Sequence, residues 1–128
     1  MSVQFNHTIV LASDRDRSAR FVADILGRPA PTRFGPFAVV ELDNGVSLDF
    51  MAAEQEIASR HFAFLVDDAT FDRGMERLKA LGLPYWADPA REHEGQINHN
   101  DGGRGVYFPD PDDHLLEMIT TPYGVPKP

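Results

Sequence analysis

The sequence predicts an α+β fold built from two tandem βαβββ modules, because the chain repeats one pattern of strand, helix and strands. Each half opens with a histidine in a short apolar strand, His7 in the first half and His61 in the second. Each half closes with a carboxylate in another apolar strand, Asp49 and then Glu117. An internal repeat of this kind is typical of a duplicated unit. Ionisable groups at matching strand positions therefore predict one shared site at a pseudo-two-fold axis.

The spacing of the two halves agrees as far as the end of the helix and then diverges. His7 precedes Gly27 by 20 positions, and His61 precedes Gly82 by 21 positions. The closing carboxylates follow these glycines by 22 and 35 positions, so the second half carries 13 extra residues. We expect most of them in one long loop over residues 88–104, which are polar and include several glycines.

The first module, about residues 4–52, is predicted from local signals. Asp14 is a suitable N-cap, and Gly27 stands where a helix commonly ends on a left-handed residue. The Asn44-Gly45 pair between apolar runs predicts a hairpin. The expected elements are a strand over 4–12, a helix over 15–26 and two strands over 37–42 and 46–51.

The second module, about residues 59–121, is predicted in the same way. Asp67 or Asp68 caps a helix that ends at Gly82 and places Phe71, Met75, Leu78 and Leu81 on one face. The expected strands cover 60–66, 84–87, 106–108 and 115–120. The tail, residues 122–128, contains three prolines and is predicted to lie loose on the surface. We interpret residues 1–128 as a single domain of two modules.

Strand alternation places the four ionisable groups on one side of their sheets. Side chains alternate between the two faces of a strand. Large apolar residues neighbour His61, Asp49 and Glu117 along the chain and suit the face that each helix covers. The ionisable groups, His7 included, are then left on the uncovered face. We expect the two curved half-sheets to bring that face together as a cup.

Composition restricts the possible partners. The 128 residues are 42% hydrophobic, which is enough for one compact core. The net charge of −8, from acidic residues spread along the chain, disfavours nucleic acid and anionic membranes as partners. Without cysteine, a metal would have to be bound by imidazole and carboxylate groups. No apolar run is long enough to span a bilayer, and no secretory signal is recognisable, so we expect a cytoplasmic protein.

These features together resemble the vicinal oxygen chelate superfamily. The group contains glyoxalase I, bleomycin-resistance proteins, fosfomycin-resistance enzymes and extradiol dioxygenases. The resemblance covers about residues 4–121 and rests on the paired modules, the two histidine-led strands, the Asp110-Pro111-Asp112 turn and the closing Leu116-Glu117-Met118. It implies the glyoxalase/bleomycin-resistance/dioxygenase fold, a divalent metal ion as cofactor and a homodimer.

The resemblance also implies a ligand set, because metal ligands in this superfamily come from the first and last strands of each module. Position by position, these are His7, His61, Glu117 and, with less reach, Asp49. Two imidazoles and one carboxylate form the facial triad of Fe(II) oxygenases. If Asp49 also binds, fewer positions stay open, which suits a lyase or isomerase with Mn, Ni, Zn or Co. Asp49 is either a ligand or a hydrogen-bond acceptor behind the ligands.

A second stretch resembles the extradiol ring-cleavage signature. His99, Tyr107 and Glu117 occur in the order of that signature and at closely similar spacing. The resemblance implies that His99 and Tyr107 contact the substrate. Two departures are that Asp113 replaces a glycine or proline and that Asp49 stands on the strand where those enzymes carry an acid–base histidine. Extradiol enzymes are also usually longer, with two such domains.

For each of these histidines, the alternative to a role in metal or substrate binding is a purely structural role. His7 and His61 could be half-buried strand histidines held by hydrogen bonds, and His99 could be a solvated loop residue. His93 and His114 look exposed. The matching positions of His7 and His61, each with a carboxylate in its own half, favour a metal site over the structural interpretation.

The leading interpretation is a metal-dependent enzyme that acts on a small oxygenated organic molecule, which chelates the metal. Within it, the sequence favours an extradiol-type dioxygenase with Fe(II). The first alternative is a glyoxalase-like lyase or isomerase. Further alternatives are a fosfomycin-type transferase and a non-catalytic, bleomycin-type antibiotic-binding protein. The identity of the substrate does not follow from the sequence.

Overall fold

The computed structural model describes residues 2–124 and separates them into two compact units, one ending at Ala58 and one beginning at Ser59. Each unit contains one α-helix and one mixed β-sheet. This arrangement confirms the predicted α+β class. None of the helices found in residues 2–124 is both long and apolar enough to cross a bilayer.

The first unit is a four-stranded sheet with one helix. Its elements are β1 (His7–Ala12), α1 (Arg15–Leu26), β2 (Thr32–Phe34), β3 (Phe37–Glu41) and β4 (Ser47–Ala52). The strand order is β1-β4-β3-β2, in which β1 and β4 run parallel and the other neighbours antiparallel. The short β2 completes the predicted βαβββ pattern at a position that the sequence did not specify.

The predicted ends of α1 are confirmed by the geometry of its caps. The side chain of Asp14 accepts a hydrogen bond from the backbone N–H of Arg17 at 3.1 Å. Gly27 ends the helix with φ 68° and ψ 32°, a left-handed conformation that favours glycine. Gly45, in the predicted hairpin, also has positive φ, at 78°.

The second unit has a three-stranded sheet. Its elements are β5 (His61–Leu65), α2 (Asp68–Ala80), a 3₁₀ helix (Asn100–Gly102), β6 (Gly105–Pro109) and β7 (Leu115–Ile119). The order is β5-β7-β6, with β5 parallel and β6 antiparallel to β7. Asp67 caps α2 by accepting the backbone N–H of Thr70 at 2.8 Å.

The strand predicted over 84–87 is wrong. Only Trp86 pairs there, through isolated bridges to Tyr107 on one side and Glu94 on the other. A strand needs a run of pairs with one neighbour, and Pro84 has no N–H to extend the run. The second helix was predicted to end at Gly82, whereas α2 ends two residues earlier, at Ala80, and Leu81 is 47% exposed.

Burial follows the predicted alternation in β1, β3, β4 and β5, whereas in β7 both faces are buried and Glu117 is only 1% exposed. In the first unit α1 packs against β1, β3 and β4, and Val10, Leu48 and Phe50 are buried. His7 and Asp49 alternate with those residues on the more accessible face. In the second unit Phe64 and Met118 are buried, whereas His61 is exposed. The sheets therefore carry the predicted functional side chains opposite the apolar core.

Candidate metal centre

The strand register of the second unit brings His61 and Glu117 together. Ala63 on β5 lies opposite Glu117 on β7, so His61 and Glu117 project from the same face. The Nε2 atom of His61 lies 3.1 Å from Oε1 of Glu117. The His61 side chain is 48% exposed and that of Glu117 only 1%. A buried carboxylate is thus reached from solvent past an accessible imidazole.

The second nitrogen of His61 fixes the protonation pattern of the ring. Its Nδ1 lies 2.9 Å from the backbone carbonyl of Leu115. A carbonyl oxygen can only accept, so Nδ1 carries a proton and donates it. The Nε2 lone pair and the Glu117 carboxylate then face each other and need a shared cation, either a proton or a metal ion. A histidine whose other N–H is held by a backbone carbonyl is the usual arrangement of a metal ligand.

Two tyrosines complete the surroundings of Glu117. The hydroxyl of Tyr123 donates a hydrogen bond to Oε2 of Glu117. The hydroxyl of Tyr107 lies 3.3 Å from that of Tyr123. Burial, and next the hydrogen bond to Glu117, raises the pKa of Tyr123, and burial also raises the pKa of Tyr107. Both hydroxyls therefore stay protonated at neutral pH.

Tyr107, a predicted site residue, lies in the same group of side chains as His61 and Glu117. It pairs with Glu117 in the register of β6 and β7. Its ring stacks on the imidazole of His61, with centroids 6.0 Å apart and planes inclined by 27°. The structure thus brings three predicted site residues, His61, Tyr107 and Glu117, into contact on one sheet face.

The first unit brings its own two predicted residues to one cavity. His7 and Asp49 both line a cavity of about 420 Å³, together with Ile9, Phe34 and Phe37. The Nδ1 atom of His7 lies 2.7 Å from the side-chain oxygen of Asn6. Asp49 Oδ1 accepts a hydrogen bond from the hydroxyl of Ser47 at 2.8 Å. This cavity combines an apolar wall with an exposed imidazole and a carboxylate.

His99 lies in a different cavity of the second unit. It precedes the 3₁₀ helix and lines a space of about 410 Å³ with Asp68, Arg104 and Thr120. Arg104 is paired there with Asp68 at 2.9 Å and with Asp72 at 2.7 Å. The lining of this cavity does not include the group around Glu117. The substrate contact expected of His99 stays a prediction.

The expected exposure of His114 is wrong. The residue is 1% exposed, and its Nδ1 accepts the backbone N–H of Arg60 at 2.9 Å. The carboxylate of Asp110 accepts the backbone N–H of His114 at 2.8 Å. His114 therefore ties the start of β5 to the turn before β7. The turn-forming residues that precede His114 do not predict this burial.

Another group of potential ligands lies in the long loop. One atom each of Asp88, Glu92 and His93 falls within 4.8 Å of the others. Asp88 accepts the backbone N–H groups of Glu92 and His93, and these hydrogen bonds lower its pKa. Its carboxylate therefore caps a loop turn.

Tyr123 is a member of the group around Glu117 that the sequence did not predict. It lies in the tail that was predicted to be loose, four positions beyond the end of β7, yet its hydroxyl reaches Glu117. The rest of the tail, residues 125–128, is outside the described residues. The only sequence signal was an aromatic residue in a proline-rich segment shortly after the predicted metal carboxylate.

The donor set around His61 fits a divalent ion. One imidazole nitrogen and one carboxylate oxygen face each other, and both are ligands of Fe, Mn, Zn, Ni and Co. The family comparison points the same way. The model of the Glyoxalase/Bleomycin resistance protein/Dioxygenase superfamily matches residues 4–118. The chain belongs to this superfamily. This confirms the predicted family, and enzymes of the superfamily use divalent metal ions.

Two solved structures resemble the chain over nearly its whole length. The protein named Oxidase ChaP-H1 is 57% identical with a TM-score of 0.95, and the match covers 97% of this chain and 100% of that chain. Oxidase ChaP-H2 is 54% identical with a TM-score of 0.94, and the match covers 97% of this chain and 98% of that chain. No substrate is part of either name.

A protein named for fosfomycin resistance matches a shorter part of the chain. The fosfomycin resistance protein FosX of Mesorhizobium japonicum is 42% identical over 65 residues, which cover 51% of this chain. The match spans 42% of the length of that relative. Members of one superfamily with the same scaffold thus carry names of different chemistries, and the fold alone does not specify the reaction.

Proposed function

We propose that this protein is a metal-dependent enzyme in which His61, Glu117 and His7 bind one divalent ion. The observation that carries the proposal is the pairing of His61 with Glu117. The Leu115 carbonyl holds the Nδ1 proton of His61, and Nε2 is left facing a buried carboxylate at 3.1 Å. The repeat makes His7 the counterpart of His61, so it is the proposed third ligand, from the same chain or from a second copy in a homodimer.

The ion in this site would act as a Lewis acid toward a substrate that binds through neighbouring oxygens. The protein would contribute orientation. Tyr107 stacks on His61 and donates its hydroxyl proton to Tyr123, so its oxygen is the proposed acceptor for a substrate hydroxyl. The cavity beside His7, with Ile9 and Phe34, has the size and the mixed apolar and polar lining of a small-molecule site.

We propose that the ion is Fe(II) and that the reaction is an oxidation by dioxygen. Ring cleavage of a catechol-like substrate is the first such reaction to test. The support is the similarity to two proteins named oxidases over 97% of the chain. Two imidazoles and one carboxylate are also the ligand set of non-haem Fe(II) oxygenases. Asp49, which accepts a hydrogen bond from Ser47, is then proposed as an acceptor near the site.

A fosfomycin-type reaction is the second candidate, because a fosfomycin resistance protein is 42% identical over about half of this chain. The same three ligands would serve it. The two candidates differ in the substrate and in the need for dioxygen, so one set of assays separates them.

The first experiment is elemental analysis of protein purified without a polyhistidine tag. We expect one divalent ion per site in the wild type and in H93A, and its loss in H61A. H93A is the matched control because it removes a histidine from the loop group of Asp88, Glu92 and His93. Metal retained in H61A but lost in H93A would refute the proposed site.

The second experiment tests the reaction. Protein loaded with Fe(II) without oxygen is mixed with a panel of catechols and then with oxygen. We expect oxygen uptake and a yellow ring-opened product. Turnover of fosfomycin by the Mn(II)-loaded protein, with no oxygen uptake in the panel, would favour the second candidate. Unchanged ligand binding by metal-free protein, without turnover, would instead indicate a sequestering protein.

A further inference from the structure

We propose that Tyr123 is a positioning residue that holds the Glu117 carboxylate so that one oxygen is directed to the metal. This inference rests on the metal site proposed above and adds a residue from outside the repeated modules. The equivalent position of the first module, six residues after Asp49, is Gln55, so the first module has no tyrosine there.

The two oxygens of Glu117 have different partners. Oε1 faces the Nε2 atom of His61 at 3.1 Å. Oε2 accepts the hydroxyl proton of Tyr123. A carboxylate whose second oxygen is held by a hydrogen bond is restricted to binding an ion through its first oxygen. That restriction leaves coordination positions open for a substrate.

The direction of the hydrogen bonds follows from the chemistry of the groups. An ionised carboxylate only accepts, so the Tyr123 proton points at Glu117. The Tyr123 oxygen is then the acceptor for Tyr107, whose hydroxyl lies 3.3 Å away. Tyr107 thus donates to Tyr123, and Tyr123 donates to Glu117, so that each hydrogen bond polarises the next.

The burial of the two partners also supports a positioning role. Glu117 is 1% exposed, so its oxygens depend on protein donors, whereas Tyr123 is 45% exposed. An unpaired buried carboxylate is costly, which explains why a tail residue is drawn in. The alternative is that Tyr123 only fills the site in the absence of metal and leaves when metal binds. The two roles predict opposite effects of removing the hydroxyl.

The test is the affinity for Mn²⁺ of the wild type and of Y123F, measured by calorimetry. We expect Y123F to bind Mn²⁺ about 10- to 100-fold more weakly, the usual cost of losing a hydrogen-bond partner of a ligand. Y85F is the matched control, because Tyr85 is not among the partners of Glu117 in the described part of the chain. It should bind like the wild type.

The electron paramagnetic resonance spectrum of bound Mn²⁺ gives a second readout. We expect the Y123F spectrum to differ from that of the wild type and the Y85F spectrum to overlay on it. Thermal unfolding without metal verifies that all three proteins are folded. Affinity in Y123F equal to or higher than in the wild type would overturn the positioning role.

The failure of this inference and of the metal site are distinguishable. If the wild type and H61A bind Mn²⁺ equally, the site itself is wrong and Tyr123 has no ligand to position. If H61A loses Mn²⁺ but Y123F matches the wild type, the site stands and only the role of Tyr123 is refuted.

Discussion

Replacing Glu117 by glutamine separates metal binding from folding, because the two groups have nearly the same shape. In E117Q the amide oxygen can accept the Tyr123 proton. The amide NH₂ can donate to Nε2 of His61, whose Nδ1 proton is already given to Leu115. Each hydrogen bond around residue 117 is thus replaced by another. We expect metal-free E117Q to differ from the wild type by less than about 1 kcal/mol in free energy of unfolding.

Metal binding, in contrast to stability, should be strongly weakened in E117Q. The amide carries no charge and presents protons toward Nε2, where the ion would bind. Loss of a hydrogen-bond partner of a ligand costs about 10- to 100-fold in affinity, so loss of the ligand itself should cost at least about 100-fold. That factor corresponds to about 2.7 kcal/mol. Alanine at the same position is a poorer probe, because Nε2 of His61 and the hydroxyl proton of Tyr123 both lose their partner, at a cost of about 1–3 kcal/mol.

Urea unfolding of metal-free protein and calorimetric titration with Mn²⁺ test the two halves of this prediction. At 100 times the dissociation constant, Mn²⁺ should stabilise the wild type by about 2.7 kcal/mol and E117Q hardly at all. Wild-type affinity in E117Q would refute the role of Glu117 as a ligand. A large loss of stability in metal-free E117Q would instead refute the hydrogen-bond pattern assigned to the site.

Three further predictions concern the scaffold. F71A should lower the free energy of unfolding, measured with urea, by about 3–5 kcal/mol, because Phe71 is 0% exposed. A decrease below about 1 kcal/mol would contradict the place of Phe71 in the core. Hydrogen bonds from Thr70 lower the pKa of Asp67 below its ordinary 3.8, so this cap stabilises α2 above that pH and ceases to do so as pH falls through the lowered value. The urea midpoint should therefore fall less between pH 5 and pH 3 in D67N than in the wild type, and equal falls would show that the cap is not responsible. G103A should lower the free energy of unfolding by about 1–3 kcal/mol, because the added Cβ would overlap the Thr121 hydroxyl and lie 2.7 Å from Thr120 Oγ1 and 2.9 Å from Thr121 Cβ. An unchanged melting temperature would show that both threonines move aside freely.

Local sequence signals were sufficient to predict those elements whose ends are set by residues within or next to them. The helix over 15–26 was predicted correctly because both of its ends are set by neighbours, Asp14 and Gly27. Alternation along the strands placed His61 and Glu117 on one face, since side-chain direction in a strand depends only on position.

The errors arose where partners distant in the chain decide the structure. Residues 84–87 have a composition that suits a strand, but the neighbours on either side pair only with Trp86. His114 lies in a turn-forming segment, and the contact with Arg60 that buries it spans 54 positions. Tyr123 was assigned to a loose tail for the same reason, since the reach of the chain back to Glu117 depends on how the tail folds over β7.

The two modules now hold equivalent groups in different ways, and this difference supports one carboxylate ligand over two. Asp49 is shorter than Glu117 and accepts a hydroxyl proton from Ser47, two positions before it on the same strand. Glu117 accepts from Tyr123, which lies outside the repeat, and faces His61 directly. If both carboxylates had been kept as ligands, similar surroundings would be expected in both modules. This divergence agrees with the proposed site, in which the first module would contribute His7 alone and coordination positions would stay open for a chelating substrate.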